Sequence, residues 1–139
     1  MKGKYSQNIN ERTTIETQLN VLKDLKISIP KSYLSCNVIF LANIDPEIQL
    51  EVISQIKSAE FIAKDTMNFW IATKMDLLKK LFNKINLLCI NESEAELFSG
   101  QNNIVKSARV IRKLGPSVII IKRGRCMRGL AGCPKTHFS

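Results

Sequence analysis

Histidine, aromatic residues and long apolar runs are scarce in this chain of 139 residues. The only histidine is His137, near the carboxyl end, so catalysis that depends on histidine is not expected. No apolar run approaches the roughly 20 residues that a membrane helix needs. The signatures Gly-x-Gly-x-x-Gly, Gly-x-x-x-x-Gly-Lys-Ser/Thr and Gly-x-Ser-x-Gly are also absent. Neither a dinucleotide Rossmann site, nor a P-loop, nor the nucleophile elbow of a hydrolase is therefore predicted.

Acidic residues are few beside basic ones, with 12 Asp and Glu against 21 Lys and Arg and a net charge of +9. Residues 122–139 hold five basic residues and no acidic one, so residues 1–121 are only mildly basic. Because the excess of basic residues lies along no helix face, we do not predict a nucleic-acid partner. The alternative, a basic nucleic-acid-binding protein, would be favoured by a steep salt dependence of DNA or RNA binding. The basic start leads into polar residues and predicts no signal peptide, which favours a cytoplasmic protein without a membrane partner.

The four cysteines predict neither a disulfide framework nor a metal site. Cys36 and Cys89 border or lie in apolar runs and are expected to be small buried hydrophobes. Cys126, Cys133 and His137 have a C-x6-C-x3-H spacing, which differs from the short cysteine spacing of structural zinc sites and has no evident fourth ligand. A reducing compartment disfavours disulfides.

From residue 37 onward, short apolar runs alternate with segments of helical periodicity. Continuous apolar strands separated by amphipathic helices are typical of a parallel sheet that is covered on both faces. We therefore predict an α/β fold with three αβα layers and a mostly parallel sheet. In the first 36 residues, a loose alternation between Thr13 and Val21 predicts a strand or ribbon. The predicted strands are 38–42, 61–63, 87–90 and 118–121. The predicted helices begin at Pro46, near 74, after Ile90 and near 103. A loop is predicted through 68–70.

Polar residues follow each predicted strand at its carboxyl end. Asp65 and Asn68 follow the second strand, Asn91 and Glu94 the third, and Lys122 and Gly124 the fourth. In a parallel sheet these ends share one edge, which is where ligands bind. Structural alternatives stay open: the carboxylates can complement a helix start, Asp65 and Asn68 can shape a turn, and Lys122 with Arg123 can be a solvated pair. Asp45 is interpreted as a helix cap and Trp70 as a packing anchor.

The order and spacing of four segments resemble the ribokinase-like, pfkB family of carbohydrate kinases over about residues 4–124. The segments are Phe40–Glu47, Asp65–Trp70, Asn91–Glu94, and Gly115-Pro116 followed by Val118–Gly124. The resemblance implies transfer of the γ-phosphoryl group of ATP to a sugar or nucleoside hydroxyl with Mg²⁺. It implies that Asn91 and Glu94 organise the metal through water. It also implies that Asp65 and Asn68 lie near the phosphates, and that Lys122 and Gly124 begin the nucleotide stretch.

The chain also departs from that family in ways that bear on activity. The amino-terminal sugar-binding part and the carboxyl-terminal Gly-Ala-Gly-Asp segment, which carries the general base, are missing, so no catalytic residue is assigned. Met127 stands where the second glycine of the nucleotide stretch is expected, and the nearest glycine is Gly129. We therefore expect residues 1–124 to be the central part of a truncated kinase domain, and 125–139 to be an irregular, frameshifted or mispredicted tail. Such a chain is expected to be inactive or nearly so; the alternative is a non-catalytic nucleotide-binding or regulatory α/β domain.

Overall fold

The computed structural model describes residues 2–5, 12–16 and 27–123. Two short strands, β1 (Lys2–Tyr5) and β2 (Arg12–Glu16), pair antiparallel. This confirms the strand or ribbon expected around Thr13, whereas the part of that prediction beyond Glu16 lies outside the described residues. So do Gly124 and all of the tail, including Cys126, Cys133 and His137.

A four-stranded parallel sheet forms the centre of the described structure. Its strands are β3 (Val38–Leu41), β4 (Phe61–Asp65), β5 (Leu87–Asn91) and β6 (Val118–Lys122), in that spatial order. The predicted α/β class and the parallel sheet are confirmed. In this register Asp65 lies beside Cys89, and Asn91 lies beside Lys122, so the carboxyl ends share one edge.

Five helices connect the strands. Asp45 caps the first of them, α1 (Pro46–Gln55), by accepting a hydrogen bond from the Glu47 backbone N–H at 2.9 Å, which confirms its interpretation as a cap. The loop predicted through 68–70 is wrong, because a six-residue helix begins at Asn68 and buries Trp70 and Ile71. The helices are α1 (Pro46–Gln55), α2 (Asn68–Thr73), α3 (Met75–Phe82), α4 (Glu92–Ser99) and α5 (Ile104–Arg112).

Within residues 27–123 the helices cover one face of the sheet only. Alternate strand residues such as Ile39, Ile62 and Leu88 are buried in the core, whereas the opposite side chains are exposed or only partly buried. The reason is topological: four sequential parallel strands joined by right-handed crossovers place every connecting helix on the same side. The expectation of helices on both faces is thus not met by these residues, which form two layers. We call the uncovered side the open face; its large exposed side chains are Val38, Phe40, Phe61, Val118 and Ile120.

The core lies between the sheet and the helices. Leu78, Leu81 and Phe82 of α3 are fully buried there, and the Phe82 ring packs against Phe98 of α4. Cys36 and Cys89 are only half-buried, so their interpretation as buried hydrophobes is wrong in degree. No helix in the described ranges is long and apolar enough to cross a membrane.

Candidate functional site

Two oppositely charged side chains meet at the carboxyl edge of the sheet. Lys122 Nζ lies 3.0 Å from Asp65 Oδ1 and 3.3 Å from Oδ2, although the two residues are 57 positions apart in the chain. They end β4 and β6, so the pair spans the intervening strand β5 above Cys89. Burial raises the pKa of the Cys89 thiol and the Asp65 carboxylate adds to this, while Lys122 opposes it. Lys122 is half exposed, so its ammonium is accessible to an anion from solution.

Asn91 and Glu94 form a capping box at the start of α4. Asn91 Oδ1 accepts from the Glu94 backbone N–H at 2.7 Å, and Glu94 Oε2 accepts from the Asn91 backbone N–H at 3.1 Å. Ser93 Oγ donates to the same Asn91 oxygen at 2.9 Å. Burial raises the pKa of Glu94, against the lowering effects of the Asn91 N–H and of Lys122. The three-residue spacing seen in the sequence therefore has a structural use, and it fixes the Glu94 carboxylate in place.

Four of the six residues predicted at this edge lie together. Asn91 and Lys122 are register partners on adjacent strands. The charges of Lys122 and Asp65 both act on the pKa of Glu94, which Lys122 lowers and Asp65 raises. We call Asp65, Asn91, Glu94 and Lys122 the edge cluster. Asn68, the first residue of α2, is exposed, and no hydrogen bond joins its side chain to the cluster within the described ranges. Gly124 lies outside them.

Comparison with known proteins adds independent findings. A cytidine kinase of Thermococcus kodakarensis is 27% identical over 101 residues, which are 71% of this chain and 36% of that protein. A PfkB protein structure from a Polaromonas species superposes with a TM-score of 0.56 and 17% identity, covering 67% of this chain and 36% of the other. A phosphomethylpyrimidine kinase structure from Clostridium difficile gives 0.51 and 24%, covering 63% and 46%. No family model matches the chain.

The chain resembles pfkB, ribokinase-like kinases in sequence and in fold. The resemblance that its motifs indicate is thereby confirmed. The two solved structures, both below 25% identity, bear on the fold alone. The chain spans only about a third of the length of the curated kinase that it matches.

The oxygen atoms at this edge of the sheet could hold a hydrated metal ion such as Mg²⁺ only through its waters. Among residues 27–123, no three carboxylate, histidine or cysteine side chains converge to hold a metal directly. Asn91 already uses its oxygen in the capping box, which leaves carboxylate oxygens of Glu94 and Asp65 as acceptors for metal-bound water. Mg²⁺ commonly binds through one or two carboxylates, waters and phosphates. Nearby, the buried Thr66 Oγ1 has no hydrogen-bond partner in the described structure, so a polar group is available there.

Three polar arrangements near this edge of the sheet were not predicted from the sequence. The Trp70 indole N–H donates to Asn43 Oδ1 at 3.1 Å, so this packing anchor also ties α2 to the end of β3. Lys74 contacts the carboxylates of Asp45 and Glu47; burial works to lower its pKa, but these hydrogen bonds outweigh burial and raise it.

The third arrangement is a wholly buried lysine, Lys64, bonded to Gln49. The alternation of Ile62 with Lys64 is the only sequence signal that would place this lysine on an inward face. That signal identifies a buried lysine only once the burial of Ile62 is known.

Proposed function

We propose that residues 1–124 provide the metal- and phosphate-binding part of an ATP- and Mg²⁺-dependent kinase. The parent reaction would transfer the γ-phosphoryl group of ATP to a hydroxyl of a carbohydrate or nucleoside. The single observation that carries this proposal is the edge cluster, which gathers a lysine, two carboxylates and a helix start at the carboxyl ends of parallel strands. The similarity to a named cytidine kinase supports phosphoryl transfer and makes a nucleoside hydroxyl a reasonable acceptor.

Each residue has a proposed part in holding the nucleotide. Lys122 would exchange its contact with Asp65 for a phosphate oxygen, and Asp65 would then accept a hydrogen bond from metal-bound water. Asn91 would hold Glu94 through the capping box so that its free carboxylate oxygen faces the metal's waters. Asn68 remains a proposed phosphate-side residue, and Gly124 a proposed residue of the nucleotide stretch, by resemblance alone. Mg²⁺, when bound, would neutralise phosphate charge, which together with positioning supplies most of the catalysis in phosphoryl transfer.

The chain by itself is proposed to bind nucleotide weakly and to transfer phosphate slowly or not at all. Its sequence offers no replacement for the general base of the kinases that it resembles. A positioned general base contributes about 10²–10⁴-fold to rate, and an anion hole contributes further. The first 124 residues would therefore supply ligand positioning without a complete catalytic apparatus.

Calorimetric titration of the purified chain with Mg-ATP tests the proposal. We expect measurable binding that weakens at least tenfold when EDTA removes the magnesium, because the carboxylates then repel the phosphates directly. Lys122→Met should weaken Mg-ATP binding by a similar factor. Lys80→Met is the matched control, since Lys80 is an exposed lysine on α3, towards the opposite end of the strands, and it should leave the affinity unchanged.

Equal losses of Mg-ATP affinity in the two lysine variants would show that binding depends only on the net charge of the chain, and would contradict a specific role for Lys122. Absence of any magnesium-dependent binding would contradict the proposed site. The alternative, a non-catalytic nucleotide-binding or regulatory domain, predicts the same binding. The two are separated by fusing to this chain the sugar-binding and Gly-Ala-Gly-Asp segments of a homologous kinase and assaying phosphate transfer to sugars and nucleosides.

A further inference from the structure

A lysine ammonium lies inside the core directly behind the edge cluster. Lys64 is the inward-facing residue next to Asp65 on β4, and its side chain has no exposed surface. Burial lowers the pKa of Lys64 to about 8, an effect that the Asp65 charge partly offsets. A buried ammonium is costly unless it is well hydrogen-bonded, so its bonds identify what this lysine contributes to the structure.

The hydrogen bonds of Lys64 join the ends of two strands through a helix. Its Nζ donates to Gln49 Oε1 at 2.6 Å and to the Asp65 carbonyl oxygen at 3.1 Å. Gln49, on α1 and only 1% exposed, donates in turn from Nε2 to the Ala42 carbonyl at 2.7 Å. Ala42 directly follows β3, and Asp65 ends β4. One buried chain of bonds therefore fixes the carboxyl ends of both strands relative to α1.

The anchored backbone of Asp65 carries the carboxylate of the edge cluster. That carboxylate accepts from the Thr66 backbone N–H at 3.0 Å and from Lys122 at 3.0 Å. A rotation of the Asp65 peptide would move both contacts. Methionine at position 64 would fill a similar volume without an ammonium, but it would leave the Asp65 carbonyl without its side-chain donor.

We propose that Lys64 and Gln49 are positioning residues, which act through the Asp65 backbone to hold its carboxylate where a phosphate-bound metal and Lys122 meet. The identity of the ligand rests on the proposed function. The predicted geometry of the Asp65 backbone and carboxylate does not depend on it. It differs from a purely structural role, in which the two residues would stabilise the whole sheet without a local effect at Asp65.

Amide hydrogen exchange of the full chain without ligand tests the geometry. Lys64→Met and Gln49→Met should each reduce the protection of the Thr66 amide at least tenfold, while protection of amides in β5 stays unchanged. Leu41→Met is the matched control, because Leu41 is a buried residue and the register partner of Lys64 on β3. It should leave Thr66 unchanged. Unchanged protection in both variants, or an even loss across β3–β6, would overturn the proposal.

Mg-ATP titration of the same proteins tests the consequence. Each single variant should raise the dissociation constant about tenfold or more, and the double variant should be no weaker than the weaker single one, because both residues belong to one bonded chain. Independent, additive losses would overturn the proposal. If the unmodified chain does not bind Mg-ATP, the proposed function fails, and the Thr66 protection still decides the positioning role. If Lys64→Met does not fold, the hydrogen exchange and the Mg-ATP titration are both measured on Gln49→Met.

Discussion

Lysine side chains occupy opposite environments near the edge of this sheet. Lys122 is half exposed and contacts a carboxylate, and Lys74 has its pKa raised by hydrogen bonds to Asp45 and Glu47 despite partial burial. Lys64 has neutral acceptors and a lowered pKa. The difference follows from solvation, because a buried ammonium loses its hydration and a contacting carboxylate compensates for that loss. The same residue type therefore contacts a carboxylate at the exposed edge in one position, where we propose ligand binding, and joins two strand ends inside the core in another.

Stability should depend on pH through Lys64 in an identifiable window. Its folded pKa of about 8 lies below the ordinary lysine value of 10.5, so the unfolded chain binds more protons between these two values. The free energy of unfolding of the unmodified chain, measured with urea, should therefore rise relative to that of Lys64→Met between pH 8 and 10.5. A shift of this size corresponds to a gain on the order of 3 kcal/mol. A constant difference between the two proteins across that window would contradict the burial of the ammonium.

At the scale of elements, local side-chain caps determine where three of the five described α-helices begin. Asp45 starts α1, Asn103 accepts bonds from two backbone N–H groups at the start of α5, and the capping box starts α4. These side chains act within a few residues of themselves, so the sequence contains the whole interaction. Helix α2 was missed because its N-cap, Met67, makes no side-chain cap bond and the helix has only six residues. Its formation depends on burial of Trp70 and Ile71 by distant parts of the chain.

The turn after α5 requires glycine for two reasons. Gly115 has φ of +135°, and a Cβ there would lie 2.4 Å from the Phe82 backbone oxygen. Gly115→Ala should therefore destabilise the fold by more than about 2 kcal/mol in urea denaturation. The Phe82 backbone would have to move away from the added Cβ, and the backbone at position 115 would be strained at its positive φ. Gly100→Ala is the control: φ is +67° and no atom lies within 4 Å, so a cost of about 1 kcal/mol is expected. Equal costs would show that the contact with Phe82 does not matter.

At the scale of the whole molecule, the described structure has one packed layer of helices and one open face. Parallel sheets are almost always covered on both faces, and the chain spans 36% of the curated kinase that it matches. The open face carries Val38 and Phe40, both more than 60% exposed. An apolar surface of this kind on a sheet is typical of an interaction surface or of an aggregation hazard.

The open face should bind a hydrophobic dye such as ANS. Phe40→Lys should lower dye fluorescence at least twofold, because it replaces a large exposed ring on the edge strand β3 of the open face with a charge. Leu97→Lys is the matched control, since Leu97 is 52% exposed on α4, on the helical side of the sheet, and it should change the fluorescence little. Equal effects of the two substitutions, or no binding by the unmodified chain, would mean that the open face is not an accessible apolar surface.

The sequence by itself determined the strands, most of the helices and the caps, because apolar spacing and capping are interactions between residues close in the chain. It also placed Asp65, Asn91, Glu94 and Lys122 at strand ends, where parallel topology brings them to one edge. Only the tertiary structure decided that Asp65 contacts Lys122 across 57 positions, that Lys64 is buried, and that all described helices pack on one face. These facts depend on which strands are neighbours and on what covers them, and local residue patterns do not contain that information.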